Sequence, residues 1–379
     1  MQDRVREGVD ARLTQVLAER RRLWEALSPA SDELLDAAAA LLSGGKRTRA
    51  LLAALGTAVL CEGERREQAL TCDLVARTGA ALELYQASAL VHDDVIDSAL
   101  TRRGMPAAHR RLAGVHRAGG WLGDPEAFGR HGALLLGDVL LSLASEEMSD
   151  LVRQRDAHQP CSRQARAAQA FDAMTAEVAV GQYLDVRSEV TPLSAPGQDP
   201  DEAAGAMHAH ALAVVRHKSA RYSVMHPLLI GALLGGVETP SPLYEALRVF
   251  GEEVGIAFQL RDDDLGVFGD PRVTGKPVGD DLREGKRTVL LSLAWRLADE
   301  AGRDALRAVL AQPGADADAL EAAARVIEDC GARQAHEAEV DSHLTAGLEA
   351  LRRLPQGSLP AASAQALEEM AQALTRRCS

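Results

Sequence analysis

The residue types best suited to chemistry lie in two acidic clusters. The first is His92-Asp93-Asp94-Val95-Ile96-Asp97, closing a long apolar stretch. Asp93 and Asp97 are four residues apart, so on a helix they share one face. The second, Phe258-Gln259-Leu260-Arg261-Asp262-Asp263-Asp264-Leu265-Gly266, also ends an apolar stretch. Adjacent carboxylates at a helix C-terminus repel each other and oppose the helix dipole. One such cluster is as well explained by a solvated helix end. Two of them point to a hard divalent cation of the Mg²⁺ type, shared between one or two carboxylates and a phosphate.

Cations accompany both clusters. Gly44-Gly45-Lys46-Arg47-Thr48-Arg49 opens a predicted helix, where glycine lets the backbone approach an anion. Arg102-Arg103-Gly104 follows Asp97 closely, and Lys218-Ser219, Lys276 and Lys286 lie further on. Singly, each reads as surface charge. Together with the acidic ends they imply two polyanionic ligands, one held through metal and one by Arg and Lys directly. A ligand with a diphosphate head and a hydrocarbon tail would satisfy both the charges and the apolar helices.

Those helices are the elements that must position the charges. Of 379 residues, 46% are apolar, only 3% aromatic, and 26% charged. Ala and Leu supply much of the apolar share, which favours helices over strands. Apolar spacing predicts helices over 3–27, 31–42, 48–61, 67–98, 132–153, 162–188, 203–234, 243–265, 287–311, 316–329 and 332–353. Breaks are predicted at 99–131, 190–202, 235–242, 266–285 and 312–315, and none has the composition of an interdomain linker. No segment sustains period-two alternation. The expectation is one all-α domain over 1–379, many long antiparallel helices packed around a central apolar cavity.

Net charge is −13, with no long basic run, which argues against nucleic acid. Five scattered cysteines without a C-x-x-C, and an N-terminus without an apolar core, suggest free thiols in a cytoplasmic protein. No uncharged apolar run reaches the ~18 residues of a membrane span.

In this order the motifs resemble the trans-isoprenyl diphosphate synthases, the polyprenyl synthetase family, geranylgeranyl diphosphate synthases in particular. The likeness runs over roughly residues 30–345: GGKRTR at 44–49, ELYQASALVHDDVIDSALTRRG at 83–104, GQYLD at 181–185, KSARYS at 218–223, FQLRDDDLGVFGDP at 258–271, TGKPVGDD at 274–281 and GKRT at 285–288. It implies the isoprenoid synthase fold, a homodimer and a Mg²⁺-dependent prenyltransferase joining isopentenyl diphosphate to an allylic diphosphate (dimethylallyl, geranyl or farnesyl). By the same resemblance Asp93 and Asp97 hold two Mg²⁺ and Asp262 a third. Arg102, Lys218 and Lys276 grip the allylic diphosphate, with Ser219 and Gln259 beside them. Lys46, Arg49, Gln86 and Arg103 take isopentenyl diphosphate, and Lys286 lies on a closing loop.

The chain departs from the family at Gly266, where the second motif ordinarily ends in aspartate. Asp264 is out of register. Asp270, ~12 Å further along a continuing helix, is a poor substitute. Product length is expected to follow the residues below Asp93. Ala89 and Ser88 are small where aromatics stop the chain at fifteen carbons in the family, and Tyr85 lies about two turns down as a lower floor. A C20 product, geranylgeranyl diphosphate, is therefore expected, with farnesyl or longer products as alternatives. A non-catalytic regulatory partner and a class I terpene cyclase are the other readings. Only Gly266 favours the first, and the second leaves GGKRTR and Arg102-Arg103 unexplained.

Overall fold

The computed structural model describes residues 2–102, 104–153, 163–195, 197–269, 279–310 and 315–376. Arg103, Asp270, Lys276, Cys161 and Cys378 lie outside them. The expectation of an all-α fold holds. Among the described residues the strands are limited to Thr101–Arg102 and Met105–Pro106, an antiparallel ribbon pairing Arg102 with Met105.

The chain forms two compact units. The first comprises Met1–Asp172, Pro227–Ser241 and Leu359–Ser363. It contains α1 (Gln2–Glu25), α2 (Ser31–Leu42), α3 (Thr48–Thr57), α4 (Gly63–Leu70), α5 (Asp73–Ile96), α6 (Ala108–Ala118), α7 (Pro125–Arg153), the start of α8 (Arg163–Val190) and α10 (His226–Leu234) but for its first residue. At its centre α5 packs on α7, α3 and α1. Thirteen of the residues of α5 are buried, on every side of the helix. That matches a sequence of Ala and Leu with no proline and no polar face. Arg12 of α1 reaches Glu147 of α7 through two hydrogen bonds of 2.8 and 2.6 Å, an ion pair buried at both ends.

The second unit comprises Ala173–His226, Pro242–Ser358 and Ala364–Ser379. Here α9 (Pro200–Val214) runs into a π-helical stretch, Val215–Met225. It is followed by α11 (Pro242–Phe268), α12 (Asp280–Glu284), α13 (Val289–Leu297), α14 (Glu300–Leu310), α15 (Ala317–Asp329), α16 (Ala332–Arg352) and most of α17 (Ala361–Thr375). The core gathers Ile256 and Leu260 of α11, Trp295 of α13, Leu306 of α14 and Ile327 of α15. Asp199 caps α9 by accepting from the backbone of Asp201 and Glu202, and Pro200 at the first helical position fits that start.

Three helices have no counterpart among the predicted ones: α6 lies in the predicted 99–131 break, α12 in the 266–285 break, and α17 in the tail beyond the recognised motifs, while the helix predicted from Glu67 merges α4 with α5. The three adjoin glycine or proline, so the punctuation outweighed the periodicity. Among the described residues one helix, Pro125–Arg153, is long and apolar enough to cross a membrane by length and composition alone.

Candidate functional site

The first acidic cluster ends α5. Asp97 is the C-cap, Ser98 adopts a left-handed φ of 52°, and the backbone N–H groups of Ser98 and Ala99 return to the carbonyls of Val95 and Asp94. This is the Schellman arrangement, with serine where glycine is usual. The chain reverses and the short ribbon brings Arg102 back against the helix. Its Nε donates to Asp94 Oδ1 at 2.8 Å, Nη2 donates to the same oxygen, and Nη2 lies 3.4 Å from Asp93 Oδ2. Asp94 is wholly buried, whereas Asp93 and Asp97 are partly open. Burial raises the Asp94 carboxyl above its ordinary range, and Arg102 opposes that shift.

The three aspartates therefore differ in role. Asp94 anchors Arg102, while Asp93 and Asp97, one turn apart, are presented outward. The bond between Arg102 and Asp94 was absent from the sequence reading. Its signal is the helix itself, which turns position 94 about 100° from its neighbour.

In the 44–49 segment, Arg47 is the inward residue. It has a left-handed φ of 51°, its Nε donates to Asp10 Oδ1 at 2.8 Å and its Nη1 to Glu83 Oε2 at 3.2 Å, and its Nη2 reaches the carbonyl of Leu42. Lys46 is exposed and Arg49 half-buried at the start of α3. Arg47 thus holds the loop while its two basic neighbours are turned elsewhere. Gln86 is half-buried on α5.

Below the acidic end, Ser88 Oγ donates to the Gly137 carbonyl of α7 at 2.7 Å, and Ala89 is partly open. Tyr85 is buried and meets Phe171 of α8 edge to face, with ring centroids 6.0 Å apart. Phe171 is fully buried and went unmarked in the sequence, because only the fold brings position 171 to position 85.

In the second unit, Lys218 lies in the π-helical stretch. Its Nζ donates to Asp185 Oδ2 at 2.6 Å. A β-carbon at Gly181 would lie 2.7 Å from the Lys218 Cα and 2.6 Å from the His217 carbonyl carbon. The GQYLD segment thus works as a unit: Gly181 permits the close approach, and Asp185, one turn on, receives the lysine. Asp185 carried no assignment from sequence. Ser219 is half-buried beside Lys218.

The second acidic cluster, on α11, also splits by direction. Asp262 is exposed. Asp263 is buried and accepts from Gln259 Nε2 at 2.8 Å. Burial, with the nearby Asp281 carboxylate, pushes Asp263 well above the ordinary carboxylate range. Asp264 is held by Arg333 through Nε and Nη2 at 2.9 and 3.3 Å, and that guanidinium lies over the Phe268 ring at 4.1 Å. One of the three carboxylates is therefore presented outward, Asp262. Asp281 carries its carboxylate against Gly266, where a β-carbon would meet its Cγ at 2.5 Å. Lys286 ion-pairs with Glu284 at 2.7 Å and lies 3.8 Å from Asp281 Oδ1.

Among the described residues no group of three or more histidine, cysteine or carboxylate side chains converges into a metal cage. The donor set fits Mg²⁺ nonetheless. That ion is usually held by one or two carboxylates, with waters and substrate phosphates completing the octahedron.

Residues 31–327 match the model of a family described as polyprenyl synthetase. The chain is 30% identical to a geranylfarnesyl diphosphate synthase of Aeropyrum pernix over 334 residues, covering 88% of this chain and 91% of that protein. It is 34% identical over 292 residues to a (2E,6E)-farnesyl diphosphate synthase of Mycobacterium bovis, covering 76% and 70% respectively. Among solved structures, the fold is similar to geranylgeranyl pyrophosphate synthase from Corynebacterium glutamicum complexed with isoprenyl diphosphate and magnesium. The TM-score is 0.86, at 34% identity, over 100% of both chains.

Proposed function

The chain belongs to the polyprenyl synthetase family, and from that membership we propose how its own residues divide the work. The reaction class follows from the family. This is a trans-prenyltransferase that condenses isopentenyl diphosphate with an allylic diphosphate. The family uses Mg²⁺, which when bound would neutralise the diphosphate and stabilise it as leaving group.

Asp93, Asp97 and Asp262 are the residues that would hold two or three Mg²⁺. The observation that carries this assignment is exposure: Asp93 and Asp97 are partly open and Asp262 is exposed, while Asp94, Asp263 and Asp264 are buried and bonded to Arg102, Gln259 and Arg333. Arg102, Lys218 and Lys276 bind the allylic diphosphate, with Ser219 and Gln259 beside them. The hydrogen bonds from Arg102 to aspartate use Nε and Nη2, which leaves Nη1 for a phosphate oxygen. Asp185 orients the Lys218 ammonium, a group of three donors. Lys46, Arg49, Gln86 and Arg103 bind isopentenyl diphosphate, and Lys286 serves as the basic residue of the closing loop. As the allylic C–O bond breaks, negative charge grows on the leaving diphosphate and these cations stabilise it. The allylic cation is attacked by the isopentenyl double bond. Proton loss to the released diphosphate then completes the product, with no protein nucleophile.

The product is C20 geranylgeranyl diphosphate. Small Ser88 and Ala89 leave room below Asp93, and the Tyr85–Phe171 pair sets the floor. The enzyme acts as a single domain over 1–379, as a cytoplasmic homodimer, without nucleic acid or a membrane span. Asp281 fills the space at Gly266, which supports reading the glycine as a packing position. The test is incubation with isopentenyl diphosphate, Mg²⁺ and dimethylallyl, geranyl or farnesyl diphosphate in separate reactions. Products are dephosphorylated and weighed. A C20 alcohol that disappears with EDTA is expected. A C15 or much longer alcohol overturns the floor, and no condensation with any primer overturns the assignment.

A further inference from the structure

A cavity of about 240 Å³ opens in the second unit between the C-terminal end of α8, residues 191–195 with Gln198, α9 and Arg287. Its polar lining includes Arg187, Ser194, Gln198, His210 and Arg287, and Met207 lies on its apolar side. Arg187 is exposed. Arg287 is mostly enclosed: its Nη2 makes one long bond, 3.4 Å, to the Glu189 carbonyl, while Nε and Nη1 are buried with no hydrogen-bond partner. Burial lowers the pKa of this guanidinium, and the attraction of Glu189 only opposes that shift. A buried cation without a partner is costly, and such groups are ordinarily paired or hydrogen-bonded.

We propose that this cavity is an accessory site for a phosphate or diphosphate group, held by Arg287 with Arg187 at the mouth. The missing acceptor must be anionic, because the orphaned donors belong to a guanidinium. It must also be small, because the space is. Phosphate oxygens, like those of a carboxylate, match guanidinium donors in geometry, and a phosphate or diphosphate brings the larger negative charge to two arginines. Ser194 and Gln198 add neutral polar groups to the lining, and the apolar side admits a short hydrocarbon. None of these residues belongs to the proposed catalytic set, so the inference stands or falls apart from that reading.

Equilibrium dialysis of the full chain with labelled inorganic diphosphate, in EDTA, tests it. Wild type and a Lys46→Gln/Arg49→Gln variant are expected to retain one common binding event. Arg287→Met should weaken it at least tenfold, and Arg287→Lys should weaken it less. Because the methionine variant can misfold, Met207→Trp provides an independent plug that keeps the arginine, and it should weaken binding similarly. Unlabelled isopentenyl diphosphate displacing the label identifies a prenyl diphosphate headgroup. Displacement only by inorganic phosphate or diphosphate identifies the free anion. Isotherms of folded Arg287→Met and Met207→Trp that superimpose on wild type would overturn the proposal.

Discussion

A β-carbon placed on Gly266 would lie 2.5 Å from Cγ of Asp281, so the glycine is the space that this carboxylate fills. From sequence the position looks like a lost metal ligand. In the fold, an aspartate from 15 residues further on occupies it.

Restoring the missing aspartate is therefore expected to harm the protein. Gly266→Asp overpacks the contact and sets a second carboxylate against Asp281. A loss of about 2 kcal/mol is expected, read as a lower midpoint in thermal or urea unfolding, with no gain in turnover. The exchange Gly266→Asp/Asp281→Gly should recover much of that stability. A single variant as stable as wild type and more active would sink this account.

Arg102 and Asp94 form the second test. Asp94 is wholly buried, so Arg102→Gln strands a carboxylate without its partner. Breaking such a pair costs about 3–5 kcal/mol. Asp94→Asn/Arg102→Gln should regain stability without regaining turnover, since the neutral pair carries no cation for the diphosphate. Recovery of turnover in the double variant would show that Arg102 serves the fold alone.

Tyr85 and Phe171 together predict product length. Either residue changed to alanine should lengthen the product by an isoprene unit, at a stability cost of about 3–5 kcal/mol for Phe171→Ala. Mass analysis of the released alcohols decides it. An unchanged product distribution in both folded variants places the floor elsewhere.

Acid sensitivity should have an identifiable contributor in His336. The side chain is buried, its Nε2 has no hydrogen-bond partner, and burial lowers its pKa to about 4. An unfolded histidine titrates near 6.5, so below that pH the unfolded state takes up the proton and the native state does not. The stabilisation is complete above ~6.5 and is lost as pH falls toward about 4. It amounts to something on the order of 3 kcal/mol. Urea midpoints at pH 7 and pH 5 should differ less in His336→Leu than in wild type. An equal drop in both proteins would assign the acid response to other groups.

The sequence by itself determined the helical class, the two acidic helix ends, the accompanying cations and the family, because these depend on residue type and short spacing. A helix of 3.6 residues per turn already puts Asp93 and Asp97 on one side. Likewise GGKRTR shows its glycines and charges without any partner in space. What local spacing does not contain is which member of each cluster turns inward, because a distant residue must be there to receive it. Asp94 needs Arg102 brought back by the ribbon. Asp264 needs Arg333 from α16, Lys218 needs Asp185 across Gly181, and Gly266 makes sense only once Asp281 is beside it. Burial raises the cost of leaving any of these charges unpaired. Tertiary packing therefore decided which carboxylates hold the protein together and which remain outward.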